Sequence, residues 1–296
     1  MTAFLVAEHF VRAPDWKWFI LVYFFLAGLG GGTFALGSML TIWGREADKP
    51  AARLAFLVSF PLMVLCPLLL IVDLGRPDRF WHMVVDPAQG ILNFKLWSPM
   101  SLGVWALTLF AAFAFVMFAW AIAAGRGMAA ARLFDGLLGR IVMILGTIAG
   151  LFVCTYTGVL LSVSNQPVWS DGWPLGGLFL ASAMSGAAAL LLLLARRRPE
   201  SADSAPAIAD ADRYFAVIEI VLVVVFLATV AIAGTLSPLF EGLLLLLWLL
   251  VAVGIALPLV GHFIKGSRAL SPVLTSVLVL VGVFALRAVV IFGAQS

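Results

Sequence analysis

Charge, cysteine and histidine are all scarce in this sequence. Charged side chains make up 11% of its 296 residues, against about a quarter in an average soluble domain, and this excludes an ordinary water-soluble fold. The two cysteines, Cys66 and Cys154, each sit inside an apolar run. They cannot supply the four ligands of an iron–sulfur cluster and read as buried, inert thiols. The three histidines, His9, His82 and His262, fall at or outside the ends of apolar runs. No pair of mid-membrane imidazoles is therefore available to clamp a haem. Any electron chemistry has to use a cofactor held without metal ligation, or one in another subunit.

What is abundant is apolar surface: 64% of residues are hydrophobic and the mean hydropathy is +1.13. A net charge of +3 and a pI near 9.1 would suggest nucleic acid in a soluble protein. Here the basic residues sit in loops between apolar runs, so they report membrane topology and no nucleic-acid partner is expected. Crossing about 30 Å of hydrocarbon takes about 20 helical residues. Eight runs meet that need, at residues 17–43, 52–72, 100–124, 137–163, 174–195, 214–236, 241–262 and 270–293. The segment before them, with Glu8, Arg12 and Asp15, lacks a cleavable signal pattern, so the first run is expected to stay as a helix.

The loops after the odd-numbered runs hold twelve Lys and Arg residues, from Arg45 to Arg268; the opposite side holds five, namely Arg12, Lys17, Arg76, Arg79 and Lys95. Basic loops stay cytoplasmic, which predicts both termini outside and, in a bacterium, in the periplasm. The expectation is an all-α, multi-pass integral membrane protein of the bacterial inner (cytoplasmic) membrane. Gly28 and Gly32 in the first run allow close helix contact, with Gly31 off that face. The fifth run opens with a similar texture, Gly176 to Gly186, which hints at two four-helix halves, residues 1–170 and 171–296. The linker at 196–213, rich in Ala, Ser, Pro and charge, is expected to be mobile.

Between the second and third runs lies the most polar stretch of the chain, residues 73–101. It carries Asp73, Arg76, Asp78, Arg79, His82, Asp86 and Lys95 beside Phe80, Trp81, Phe94 and Trp97. A folded periplasmic cap and an interfacial loop that merely anchors helix ends both fit this composition. The fourth run adds Thr155, Tyr156, Thr157 and Ser162, whose hydroxyls could serve a site or bond their own helix's carbonyls. Ionisable groups within or beside apolar runs are few: Glu219, Glu241 and Arg287. They form a candidate proton path, though Glu241 and Arg287 could be a structural pair and Glu219 could reach the cytoplasmic surface.

The Gly-rich first run, Asp73-Leu-Gly-Arg-Pro77 after the second and Ser98-Pro-Met-Ser101 opening the third resemble the NrfD family of membrane anchors, typified by the polysulfide reductase membrane subunit. The resemblance covers the chain in topology and residues 16–170 in motif. It implies a subunit that exchanges electrons with membrane quinone (menaquinone or ubiquinone) and binds a periplasmic, ferredoxin-like iron–sulfur protein serving a molybdopterin catalytic subunit. It also implies a quinone headgroup near the outer face, between helices 1, 2 and 4. Tyr23 aligns with a quinone-contacting histidine of the family and Tyr156 with a quinone-contacting tyrosine; Ile20 replaces a polar amide. Asp73, at the membrane boundary, is the expected proton partner, unless it caps local backbone donors or pairs with Arg76. Arg76, Arg79, Trp81 and His82 are the expected docking residues for the iron–sulfur partner. A secondary transporter or proton-translocating protein is the alternative, for which the two halves and the intramembrane charges would suffice.

Overall fold

The computed structural model describes residues 15–88, 90–260 and 271–295. Every regular element among them is helical, and the one β-type contact is an isolated bridge between Val85 and Leu92. The α-helices are α1 (Trp18–Ile42), α2 (Lys49–Asp73), α3 (Pro99–Gly125), α4 (Leu137–Ser162), the single turn α5 (Pro167–Ser170), α6 (Leu175–Ala195), α7 (Ala205–Ala233), α8 (Leu244–Val260) and α9 (Pro272–Gly293). Seven of the described helices are long and apolar enough to cross a membrane. The eighth, α8, is apolar throughout but 17 residues long as described, and the end of the expected run, 261–262, lies outside the described residues. The ends follow local chemistry. Ser98 and Ser271 each accept a backbone N–H from three residues on, with Pro99 and Pro272 at the first helical position. Gly234, at φ 80°, closes α7 in the left-handed conformation that glycine adopts without penalty.

Two helices form the centre. About three quarters of α1 and α6 (78% in each span) is buried within the protein, against 22–33% for α2, α3, α4 and α7, whose outer faces are left to lipid. A Cβ on Gly32 would lie 2.7 Å from the Ala187 Cβ and 2.8 Å from the Ala183 carbonyl oxygen. Only glycine permits that approach of α1 to α6. Gly31 faces away toward α4, 2.5 Å by the same construction from the Gly150 oxygen. α1 packs on α2, α4, α6 and α9, while α6 packs on α7, α9, α1 and α4. Each central helix thus touches its own successor, the other central helix, and α4 and α9 alike.

The chain ends near residues 16 and 295 meet at one end of the bundle, where Trp16 N–H donates to Gln295 Oε1 (2.8 Å) and Gln295 Nε2 donates to the Trp16 carbonyl (3.1 Å). At the other end Arg45, in the α1–α2 turn, donates to the Asp203 carbonyl (3.2 Å), and Ser204 Oγ donates to Asp48 (2.7 Å). These bonds place the α1–α2 and α6–α7 connections at the same end, as the charge pattern requires. Arg12, Lys265 and Arg268 lie outside the described residues. The bonds also revise the reading of 196–213 as a mobile linker. Pro199–Ser204 forms a 3-10 turn, Ser201 and Ser204 are buried, and α7 begins at Ala205, nine residues before the apolar run that marked it. A short polar side chain that suggests disorder by composition, Ser204, here satisfies the buried Asp48 carboxylate across the bundle.

Residues 73–88 and 90–101 are folded. Pro77–Met83 makes a 3-10 helix, and Asp86 and Asn93 N–H donate to Ile91 and Val84 carbonyls at 2.8 Å around a turn containing Gly90 at φ 67°. The segment is tied to α3 through Asn93, whose carbonyl accepts from Ser101 Oγ (3.1 Å) and Trp105 Nε1 (3.2 Å).

Candidate functional site

Beneath this folded cap lies a cavity of about 320 Å³. Its walls come from five elements: Tyr23 of α1; Pro67, Leu70, Ile71 and Leu74 of α2 and its end; Phe80, Met83 and Val84 of the cap; Met100, Gly103, Val104, Leu107 and Thr108 of α3; and Tyr156 and Leu160 of α4. Pro67 sits inside α2 and lacks the N–H that would bond the Met63 carbonyl, a place where a helix bends. No charged side chain lines the space, and the only polar side chains among its lining residues are the two phenols and the Thr108 hydroxyl. The latter donates to the Val104 carbonyl (2.8 Å).

The two tyrosines differ in state. The Tyr156 hydroxyl donates to the Pro99 carbonyl at 2.5 Å, in the first turn of α3. That bond depends on Gly103, because a Cβ there would lie 2.3 Å from the Tyr156 oxygen. Tyr23 is 5% exposed, its ring packed against Phe24 (5.3 Å between centroids), and among the described residues its hydroxyl has no hydrogen-bond partner. Tyr23 lines the cavity, so an occupant bearing an acceptor oxygen could take its idle donor. Chemically, the cavity offers one free O–H, one hydroxyl oxygen whose proton is already committed, and otherwise apolar walls. This suits a flat, largely apolar ring bearing oxygens at its edge.

The sequence-predicted residues separate into groups. Tyr23 and Tyr156 share the cavity. Asp73 does not line it: it is exposed at the last position of α2, one residue before Leu74, which does. Ile20 is buried in the core and absent from the lining. Arg76, Arg79 and Trp81 are exposed on the cap, with His82 half-buried against Trp81 and Arg79 3.9 Å from Asp78. Glu219 and Arg287 are buried, so Glu219 does not reach the surface. Glu241 is exposed before α8 and is not the partner of Arg287, whose donors go to Phe24, Phe179 and Val283 carbonyls and to Ser182. Cys66 and Cys154 are buried and unbridged, Cys66 Sγ lying 3.3 Å from the Leu62 carbonyl. Among the described residues no cluster of His, Cys, Asp or Glu could hold a metal; His9 and His262 lie outside them. The α3 wall was missed because its residues, Thr108 apart, are ordinary apolar ones. Its single signal was Gly103, five residues after Ser98.

Fold and cavity define a multi-pass helical membrane protein with an apolar ring-sized site under a surface cap. The chain belongs to the NrfD family: the family model for polysulphide reductase, NrfD, matches residues 6–296. It is 30% identical to a polysulfide reductase polypeptide of Wolinella succinogenes, across 95% of this sequence and 94% of that protein. Shorter matches join it to a selenate reductase subunit of Mesobacillus selenatarsenatis (29% identity over 28% of this sequence) and to a putative dimethyl sulfoxide reductase membrane subunit of Halobacterium salinarum (32% over 25%). These two matches span 20% and 17% of the relatives' own lengths.

Proposed function

We propose that this chain is the membrane subunit of a reductase complex and that its cavity takes the ring of a membrane quinone, menaquinone or ubiquinone. The observation that carries the reading is that Tyr23, whose hydroxyl has no hydrogen-bond partner among the described residues, and Tyr156 line one apolar cavity. A bound quinone would supply two-electron, two-proton redox chemistry at its ring oxygens. Tyr23 donates a hydrogen bond to one ring oxygen without placing a charge in lipid, since a phenol stays protonated at neutral pH. Tyr156, with its own proton held by Pro99, offers an acceptor lone pair to a ring hydroxyl on the reduced side. Asp73, exposed to water next to Leu74 at the cavity wall, exchanges protons between the site and the outer solution.

The wider arrangement follows the same reading. α8 is the eighth membrane span, both termini and the cap face the periplasm, and the two four-helix halves meet at α1 and α6. The cap docks a ferredoxin-like iron–sulfur subunit through Arg76, Arg79, Trp81 and His82, and through it a molybdopterin catalytic subunit. These partners are what the relatives' names, as parts of reductases, make the natural assembly. The intact complex, purified in mild detergent, should carry about one extractable quinone per NrfD-family subunit. Tyr23→Phe should weaken retention roughly fivefold, as expected for one lost hydrogen bond of about 1 kcal/mol. A quinone-free complex, with wild-type quinone turnover in both Tyr23→Phe and Tyr156→Phe, would overturn the assignment.

A further inference from the structure

On the far side of α1 from the cavity, α6, α7 and α9 enclose a second set of polar groups: Asp212, Ser185, Ser182, Glu219 and Arg287, none more than 4% exposed. Arg287 Nε donates to the Phe24 carbonyl (3.3 Å), Nη2 to the Phe179 carbonyl (3.3 Å), and Nη1 to the Val283 carbonyl (3.0 Å) and Ser182 Oγ (3.1 Å). Its cation also lies 5.1 Å from the centre of the Phe179 ring. Ser182, which accepts from Arg287, also lies near Glu219. One turn along α6, Ser185 Oγ is 2.6 Å from Asp212 Oδ1. Among the described residues, no cation lies within 4.0 Å of either carboxyl. Arg213, next to Asp212 in sequence, pairs with Asp210 on the surface instead. From α4 the nearest titratable neighbour is Cys154, whose Sγ lies 3.4 Å from the Gly28 carbonyl.

The cluster therefore contains two carboxyls and one cation. An unpaired charge buried in a membrane interior is expensive and is commonly removed by protonation. Neutrality is reached when one carboxyl, and only one, holds a proton. The two acids lie seven residues apart on α7, with Asp212 toward the end of the bundle that carries Arg196 to Arg198.

We propose that Asp212 and Glu219 share one proton and form a proton-storing relay, through Ser185 and Ser182, between the Arg-rich end of the bundle and its interior. Seven residues of helix separate the two acids, so transfer moves the proton about 10 Å along the membrane normal. The proton leaves one carboxyl as it arrives on the other, and the cluster's net charge is unchanged. This goes beyond the quinone reading and stands without it. Nothing in the relay uses Tyr23 or Tyr156, although Arg287 holds the carbonyl of Phe24, the residue that follows Tyr23.

Infrared spectroscopy of the complex in lipid vesicles tests the idea, because a protonated carboxyl has a carbonyl band that an ionised one lacks. Wild type should show one such band that shifts in heavy water. Asp212→Asn and Glu219→Gln should each abolish it, since either leaves one acid to ionise against Arg287. Arg287→Met should roughly double it, because both acids then need a proton. Absence of the band in wild type, or its loss in one acid variant and survival in the other, would overturn the shared proton. Should Arg287→Met fail to assemble, the two acid variants decide the matter by themselves. Ser185→Ala tests the relay: slower hydrogen–deuterium exchange of the band is expected, and an unchanged rate would refute the path.

Discussion

Gly103→Ala is the sharpest probe of the cavity, because it changes one methyl group in a residue that would touch a ligand only weakly. The added Cβ would fall 2.3 Å from the Tyr156 oxygen and 2.5 and 2.6 Å from Cζ and Cε1 of its ring. The α3 backbone is held on the other side by Trp105 and Ser101 bonding to Asn93, so the phenol must move. It then loses the Pro99 carbonyl and swings toward the cavity. Crowding of this kind costs about 1–3 kcal/mol, and a hydrogen bond about 1 kcal/mol more. A ligand entering the slot has to restore the original rotamer and bears most of that cost. A binding penalty near 2 kcal/mol corresponds to roughly 30-fold weaker quinone affinity. The measurement is titration of the purified complex with a short-chain quinone, followed by tryptophan fluorescence, with thermal unfolding as a control for assembly. An affinity within about threefold of wild type, less than about 0.7 kcal/mol, would refute the placement of the ring beside Tyr156.

Other expectations follow from the same geometry. Tyr156→Phe should leave assembly intact and reduce quinone-linked turnover about tenfold, the effect of one lost transition-state hydrogen bond, as measured by steady-state kinetics. Cysteines introduced singly at Ala88 and Ala202, both exposed, should react with an impermeant reagent from opposite sides of the membrane; labelling of the Ala202 position in intact cells would reverse the topology. Arg79→Glu should release the iron–sulfur partner during purification, and co-purification at the wild-type ratio would remove the cap from the docking surface. Gly32→Val, which forces a side chain between α1 and α6, should lower the thermal midpoint of the purified protein, whereas an unchanged midpoint would mean the helices are not held at that spacing.

The fold was legible where hydrophobic length decides structure, and the helix ends agree with the apolar runs to within a few residues for most helices. It was not legible at α7. There, residues 205–213 are helical but polar, and the reading that tied helix to hydropathy left Asp212 in a linker. This hid the second carboxyl of the buried cluster. Gly28 and Gly32 announced a close contact, although their partners Ala183 and Ala187 carry no signal that would single them out from other alanines. For the cavity, resemblance supplied Tyr23 and Tyr156, residues without a local pattern of their own. Asp73 was placed by its membrane-boundary position, yet boundary residues point outward as readily as inward, and this one is exposed. Glu241 and Arg287 lie near the outer ends of their helices in sequence, but helix ends can agree in depth while facing different neighbours. Arg287 turns to the centre of the bundle.

The cap and the cavity share a stretch of backbone. Phe80, Met83 and Val84 roof the space from above, and Ser98, the residue that ends the cap and starts α3, immediately precedes the proline whose carbonyl holds Tyr156. A protein that grips the cap therefore grips the lid of the site and one of its two hydroxyls. By thermodynamic reciprocity, if occupancy of the space tightens that grip by some factor, the grip tightens occupancy by the same factor. Assembly and ligand retention then become one quantity measured in two ways, and a subunit stripped of its neighbours would hold its small molecule differently from the same subunit in place.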